Sequence, residues 1–293
     1  MPRHAIASTL MTLALAAPVL AQQPRIINGR LASQAATQEL DRAFKSLVAA
    51  QTEPAWIGYA VPITPGDHTM CCYGDGWMTR CGLEPADSKG RIDRLSPSSA
   101  TGPVRLEGPE TMFVLFRVEQ KAVQKIRTFT PECELDAGGR TIHWLEGVAP
   151  ADSVALLASL VSRTEQRRDR VTNSALAAIS MHRDPSADST LIRLARQDTS
   201  PKVRGEAIFW VAQKAGRKAA GEITAAIEQD PDTDVKKRAV FALSQLPKDE
   251  GVPLLIQVAR TNKNPAVRKQ AMFWLGQSHD PRALDFFAEV LGR

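Results

Sequence analysis

The residues of this chain best suited to chemistry are four cysteines in its first half: Cys71, Cys72, Cys81 and Cys133. Their sulfur atoms can pair as disulfides or, as thiolates, bind a metal ion. Adjacent cysteines seldom bond to each other, because the peptide between them would be strained. The sequence therefore predicts two disulfides in which Cys71 and Cys72 each pair with Cys81 or Cys133, and it leaves the pairing open.

A metal site is the alternative use of these cysteines. His68 would add an imidazole, which gives enough ligands for tetrahedral zinc, but the spacing matches no standard zinc motif. Asp67 and Asp75 complete the polar cluster beside Cys71 and Cys72, where turn chemistry explains such residues without a ligand. We favour disulfides and predict no metal and no cofactor.

The first residues predict the compartment. Arg3 precedes an apolar stretch, and Pro18 is followed by the small-residue pattern that ends at Ala21, which is typical of a secretory signal peptide at 1–21. Cleavage after Ala21 would give an exported protein, periplasmic or extracellular, with no integral membrane segment. Such a compartment is oxidising and favours disulfides.

Other catalytic interpretations have little support in the sequence. Carboxylates at Glu132 and Glu134 raise the pKa of the Cys133 thiol and oppose its use as a nucleophile. The motif Arg25–Gly29 resembles a protease activation site, but no Gly-Asp-Ser-Gly-Gly sequence is present. The net charge of +5 lacks a basic stripe interleaved with aromatics, so we expect no nucleic-acid partner. We assign no catalytic residue.

The second half of the chain is an internal repeat with a step of 32 residues. The following sets keep that step: Val171, Val203, Val235 and Val267; Ala175, Ala207, Ala239 and Ala271; Ile179, Val211, Leu243 and Leu275; Leu191, Ile223, Leu255 and Phe287. Within a unit the first three positions lie on one helix face, and the fourth opens a second helix after a break. The pattern predicts four helical hairpins.

Polar residues also keep this step. Asp198, Asp230 and Asn262 fall where each second helix should end, and a basic residue follows early in the next helix. We expect these residues to tie neighbouring hairpins together. One hairpin of this size cannot bury a sufficient core, so the units must stack. An additional helix, predicted at 152–163, would cover the first unit.

The segments VRGEAIFWVAQ, VKKRAVFALSQ and VRKQAMFWLGQSHDPRALDFFAEVL resemble short bacterial HEAT repeats of the phycobilisome-lyase HEAT-like group. The resemblance covers residues 165–293 and implies an α-solenoid that binds a protein on one exposed face. Related HEAT-like oxygenases bind two irons through His-Glu pairs, and no His-Glu dipeptide occurs in this chain. A lyase of this group would need a pigment partner, which nothing in the sequence indicates.

Aromatic and amide residues mark a candidate binding face. They share the 32-residue step and lie four residues apart in each helix: Phe209 and Gln213, Phe241 and Gln245, Phe273 and Gln277. Stacked hairpins would align them as an exposed column. The alternative is that the rings pack between hairpins while the amides cap backbone ends.

The first half has a different pattern. One amphipathic helix is predicted within 34–50, and short segments rich in β-branched and aromatic residues predict strands at 55–61, 111–119, 122–129 and 141–145. The middle two strands should form a hairpin. The predicted fold class is thus an α+β domain at 30–150, held by disulfides, followed by an all-α HEAT-like α-solenoid at 152–293.

Together these patterns predict an exported, non-catalytic scaffold that binds a protein through its HEAT-repeat surface. The identity of that partner and the oligomeric state are left open. The alternative is an enzyme or cofactor-binding protein, oxygenase-like or lyase-like by family analogy, with a site near Cys71–Cys81.

Overall fold

The computed structural model of the chain describes residues 23–36, 39–66, 70–72, 80–84, 108–161 and 169–292. The predicted signal peptide at 1–21 lies outside these residues, as do Asp67, His68 and Asp75. None of the described helices is both long enough and apolar enough to span a membrane.

The first half contains two sheets. The strands are β1 (Ile26–Ile27), β2 (Arg30–Ala35), β3 (Ala55–Pro62), β4 (Arg80–Gly82), β5 (Thr111–Glu119), β6 (Ala122–Phe129), β7 (Glu134–Asp136) and β8 (Thr141–Glu146). The larger sheet has the order β2-β8-β3-β5-β6, in which β2, β8 and β3 are parallel and β5 and β6 continue antiparallel. The smaller sheet is parallel, with the order β1-β7-β4.

The four predicted strands are confirmed as β3, β5, β6 and β8. The predicted hairpin is confirmed as well, because β5 and β6 pair on either side of Gln120 and Lys121. Both turn residues have positive φ, 53° and 56°, as a two-residue hairpin turn of type I′ requires. The remaining strands were not predicted, since three are only two or three residues long and β2 is mostly exposed.

The helices are α1 (Leu40–Ala50), α2 (Pro150–Ser159), α3 (Asp169–Met181), α4 (Pro185–Gln197), α5 (Pro201–Ala215), α6 (Ala220–Gln229), α7 (Thr233–Ser244), α8 (Lys248–Thr261), α9 (Pro265–Gln277) and α10 (Pro281–Leu291). A 3₁₀ turn, Gly216–Ala219, precedes α6. The helix predicted within 34–50 is confirmed as α1. Helix α2 begins two residues before the predicted start at 152, because Pro150 occupies its first turn, and it ends at Ser159 instead of 163.

Helices α3 to α10 are the predicted run of hairpins. Helices α3, α5, α7 and α9 begin at 169, 201, 233 and 265, so each starts 32 residues after the last. Short polar side chains cap the helix starts: Asp184, Asp232, Asn264 and Asp280 each accept a hydrogen bond from a backbone N–H in the first turn. Within the run, α5 packs on α3 and α7, and α7 packs on α9.

The core continues from the sheet into the helices. One cluster of buried residues includes Ile57 and Phe116 of the larger sheet, Leu157 of α2 and Leu275 of α9. A second cluster lies on the other sheet face, around Trp56, Trp144 and Leu135. The first hairpin packs directly on the larger sheet, since α3 contacts β6, and α2 lies beside this contact and touches α3, α4 and β3. The boundary between a domain at 30–150 and one at 152–293 stays a prediction.

Two disulfides join the cysteines. Cys71 bonds to Cys133 with Cα atoms 5.4 Å apart, and Cys72 bonds to Cys81 with Cα atoms 5.0 Å apart. This is one of the two pairings that the sequence left open.

Candidate protein-binding surface

An aromatic row crosses the first helices of the repeat units. The rings of Phe209 on α5 and Phe241 on α7 are stacked, with centroids 5.7 Å apart and planes within 5° of parallel. Phe241 in turn lies 4.8 Å from Trp274 on α9, and Trp274 lies 5.0 Å from Phe273. Trp210 extends the other end, 5.1 Å from Phe209. The row is therefore continuous across three units.

The three phenylalanines of the predicted binding face differ in their exposure to solvent. Phe209 and Phe241 are partly buried, because each packs against a ring of the next unit. Phe273 is 54% exposed, and no further unit covers it among the described residues. The alternative of packed rings thus describes the first two, while Phe273 is open to solvent.

The three predicted glutamines, Gln213, Gln245 and Gln277, are all exposed. Gln245 and Gln277 also line a groove of about 290 Å³, together with Trp274 and His279. The Trp274 Nε1 atom is buried and donates no hydrogen bond within the described part of the chain. The structure therefore brings two glutamines and the Trp274 side chain to the same groove.

The sequence analysis missed both tryptophans of the row. Trp210 and Trp274 stand at equivalent positions two units apart, with Ala242 between them. The same repeat alignment that identified the phenylalanines contained this signal. The contact of Trp274 with Phe241 shows that the tryptophans contribute to the row as much as the phenylalanines do.

Large apolar side chains are exposed at four described positions, and all four lie in α9 and α10. We call this set the open end: Phe273 (54% exposed), Leu284 (70%), Val290 (43%) and Leu291 (83%). Leu284 and Leu291 are two turns apart and lie on the same side of α10. The open end is thus a set of exposed apolar side chains on the two helices of the last described hairpin.

The repeat alignment explains why the open end is apolar. The residues at the position of Leu291 in the earlier units are Ala195, Ile227 and Ala259, which are 5%, 0% and 3% exposed. Leu291 therefore occupies a position that is buried in every earlier unit. Repeat arrays usually end in a unit with a polar outer face, because an uncovered apolar face costs solubility. The last described hairpin lacks this feature.

The polar residues that were predicted to connect neighbouring units form hydrogen bonds within the protein. Arg204 donates to both carboxylate oxygens of Asp230 at 2.7 and 2.9 Å, and to the Asp198 carbonyl at 2.9 Å. The Asp230 carboxylate raises the pKa of Arg204. Lys236 donates to the carbonyl of Glu228, and Arg268 donates to that of Asn262. These basic residues therefore connect neighbouring hairpins, as the sequence predicted.

A buried polar trio lies where the sheet meets the helices. Ser153 Oγ of α2 lies 2.8 Å from Tyr59 OH of β3 and 2.8 Å from His182 Nε2, just after α3. His182 Nδ1 lies 2.7 Å from the carbonyl of Ala178. A hydroxyl on an imidazole can be a nucleophile with its base, but all three residues are 0% exposed and no substrate can reach them. The trio satisfies buried polar groups.

Burial sets the charge state of the trio. It lowers the pKa of His182 to about 4 and raises the pKa of Tyr59. Both groups are therefore neutral at pH 7. The trio leaves no signal in the sequence, because its three residues are far apart in the chain and follow no repeat.

The alternative site near Cys71–Cys81 is described in part. Cys71 and Cys72 are partly buried, and Cys81 is 1% exposed. Within the described ranges, no group of three or more His, Cys, Asp or Glu residues is placed to hold a metal ion.

Comparison with known protein families identifies part of the repeat run. Residues 221–293 match the family model for HEAT repeats. The C-terminal part of the chain is therefore made of HEAT repeats, which confirms the predicted resemblance for the segment that includes α7 to α10.

Among solved structures, the chain is similar to one in the complex of CpcE and CpcF of phycocyanin lyase from Nostoc. The similarity has 15% identity and a TM-score of 0.38, and it covers 48% of this chain and 89% of that chain. A second likeness is to YibA of Escherichia coli, with 24% identity, a TM-score of 0.34, and coverage of 48% of this chain and 53% of that chain. A search of curated proteins found no match.

Proposed function

We propose that this chain is a non-catalytic protein-binding scaffold whose HEAT-repeat surface holds another protein at the open end. HEAT repeats themselves suggest protein interaction. The observation that carries the proposal is the clustering of exposed large apolar side chains in the last hairpin, at positions such as that of Leu291 that are buried in earlier units.

The chemistry of the open end specifies the partner. Inside the run, the residues equivalent to Leu291 are buried. A partner that presents an amphipathic helix or helix pair would bury the side chains of the open end in the same way. The row from Phe209 to Phe273 and the exposed Gln277 would border that contact and contribute ring surface and amide hydrogen bonds.

The finer features of this proposal concern architecture and compartment. We propose that α3 to α10 form an α-solenoid covered at its start by α2, and that the residues at 30–150 form a separate α+β domain. We also propose that the protein is exported, periplasmic or extracellular, since two disulfides are compatible with an oxidising compartment. The enzyme or cofactor alternative near Cys71–Cys81, oxygenase-like or lyase-like, stays a prediction.

The proposal can be tested with two charge substitutions. Leu291→Asp places a carboxylate in the open end, whereas Gln257→Asp adds the same charge at an exposed position on α8, away from it. Wild type and both variants would first be compared by light scattering, which measures self-association. They would then be used as baits in quantitative affinity capture, and binding of each captured protein would be measured with purified components.

We expect Leu291→Asp to weaken binding of the partner at least tenfold, since a buried unpaired carboxylate costs more than about 1.4 kcal/mol. We expect Gln257→Asp to bind as wild type does. Equal binding by all three proteins, with circular dichroism showing intact helices, would contradict a role for the open end. A loss with Gln257→Asp alone would move the binding face to α8.

A further inference from the structure

A guanidinium group lies directly on one of the two disulfides. Arg127 of β6 places Nη2 2.9 Å from Cys72 Sγ and 2.8 Å from Cys81 Sγ. Its Nη1 donates to the carbonyl of Gly82 at 2.7 Å, and the guanidinium stacks over the Phe129 ring at 4.6 Å. The carbonyl and the ring therefore fix the positive charge against both sulfur atoms.

The charge of the partly buried Arg127 has no carboxylate partner within the described ranges, whereas the partly buried Arg117 and the buried Arg204 form ion pairs. Burial lowers the pKa of Arg127, since water solvates the cation incompletely. Disulfide sulfurs are weak acceptors and compensate a buried cation poorly. A thiolate at Cys81 would compensate it much better, because it carries a full negative charge.

The second disulfide has the opposite surroundings. Cys133 is followed by Glu134 and preceded by Glu132, and the nearest polar contact of its Sγ is the Glu134 carbonyl at 3.9 Å. The Glu134 carboxylate pairs with Arg80 at 3.1 Å. Carbonyl and carboxylate oxygens oppose a thiolate at Cys133. The two disulfides of one chain thus differ in the sign of the charge beside them.

We propose that Cys72–Cys81 is a thiol–disulfide exchange site, which reacts reversibly with external dithiols, with Arg127 stabilising the thiolate of the leaving Cys81. Cys71–Cys133 is the structural disulfide. This site does not depend on the protein-binding role of the repeats.

The exposure of the two sulfur atoms and the charge of Arg127 determine which cysteine is attacked and which one leaves. A thiolate of the dithiol attacks Cys72 Sγ, which is partly buried, while Cys81 is 1% exposed. The bond between the two cysteines breaks and its electron pair leaves on Cys81 Sγ, next to Arg127. The second thiolate of the reagent then attacks the mixed disulfide and releases the Cys72 thiolate. The dithiol is oxidised to a cyclic disulfide by two electrons, and its two protons pass to the cysteines or to solvent.

The experiment uses the full oxidised chain in buffers of reduced and oxidised dithiothreitol. Free thiols are blocked at equilibrium and measured by mass spectrometry after trypsin digestion. Cys81 and Cys133 lie on different tryptic peptides, which begin after Arg80 and Arg127, so each reports one disulfide. We expect Cys81 to become reduced at a dithiol ratio at least about tenfold lower than Cys133 does, which corresponds to about 30 mV.

Three variants test the role of the guanidinium. Arg127→Gln removes the charge and should raise the dithiol ratio needed to reduce Cys81 by about tenfold, with Cys133 unchanged. Arg127→Lys keeps the charge and should recover most of this effect. Lys125→Gln is the matched control, because it removes a positive charge from an exposed side chain of the same strand, β6, and leaves the tryptic peptides of Cys81 and Cys133 separate. Circular dichroism confirms that each variant is folded.

Two results would overturn the proposal. One is equal reduction of Cys81 and Cys133 in the wild-type chain, which needs no variant to interpret. The other is a folded Arg127→Gln protein in which the midpoint for Cys81 is that of wild type. If Arg127→Gln fails to fold, the proposal is tested by the order in which Cys81 and Cys133 become reduced in the wild type and in Arg127→Lys.

Discussion

Acidification should destabilise this protein through His182. The imidazole is 0% exposed, and burial lowers its pKa to about 4, aided by the nearby Lys214 ammonium. Because the Ala178 carbonyl can only accept, Nδ1 carries the hydrogen, and Nε2 accepts from the Ser153 hydroxyl. When Ser153 donates its one hydrogen in this way, the Tyr59 hydroxyl donates to Ser153. A second proton on His182 would reverse that chain of bonds and charge a buried ring.

The sign and size of the effect follow from linkage. In the unfolded chain His182 titrates near its ordinary pKa of 6.5, and in the folded chain near about 4. Well above pH 6.5, His182 is neutral in both the folded and the unfolded chain, so its titration does not lower the free energy of unfolding. As the pH falls below 6.5, the unfolded state binds a proton that the folded state rejects. A difference of one pKa unit between the folded and unfolded chain corresponds to about 1.4 kcal/mol. The free energy of unfolding therefore falls by about 2 kcal/mol at pH 5 and by about 3 kcal/mol below pH 4.

The assay is urea unfolding of the oxidised protein between pH 8 and pH 5, followed by tryptophan fluorescence. Glu84 and Asp184 also have lowered pKa values, but their stabilisation is lost mainly below that window. His182→Gln should be less stable at pH 8 and should lose most of the slope between pH 8 and pH 5. Burial also lowers the pKa of the partly buried His143, so His143→Gln should remove only the smaller remainder. If His182→Gln keeps the wild-type slope, the buried imidazole is not the group that titrates.

Two paired substitutions test the packing of the repeats by thermal and urea unfolding. Phe241→Ala should cost about 2 to 3 kcal/mol because its ring contacts two others, whereas the exposed Phe273→Ala should cost less than about 1 kcal/mol; equal losses would contradict the row as described. Gly251→Ala should destabilise by about 1 to 3 kcal/mol, because a Cβ there would lie 2.5 Å from the Leu243 carbonyl. Gly276→Ala meets nothing within 4 Å in α9 and should stabilise by about 0.5 to 1 kcal/mol, so a loss there would refute the open helix face.

The sequence predicted those parts of the fold whose signal is local or repeated. Four helix pairs follow from a step of 32 residues, and the hairpin of β5 and β6 follows from two apolar segments separated by Gln120 and Lys121. Strand β2 was missed because its side chains are mostly exposed and its partner β8 lies more than 100 residues away in the chain. Parallel pairing over such a distance leaves no mark on the strand itself.

The candidate sites show a second limit of the same kind. Phe209, Phe241 and Phe273 are identical in residue type, helix position and spacing, yet only Phe273 is largely exposed. In a stacked array, the burial of a residue depends on whether a neighbouring unit covers it. The sequence of one repeat does not contain that information. Periodicity can therefore find a column of equivalent residues but cannot tell where the column becomes a binding surface. The change occurs at the open end, where the apolar side chains of the last described hairpin are exposed.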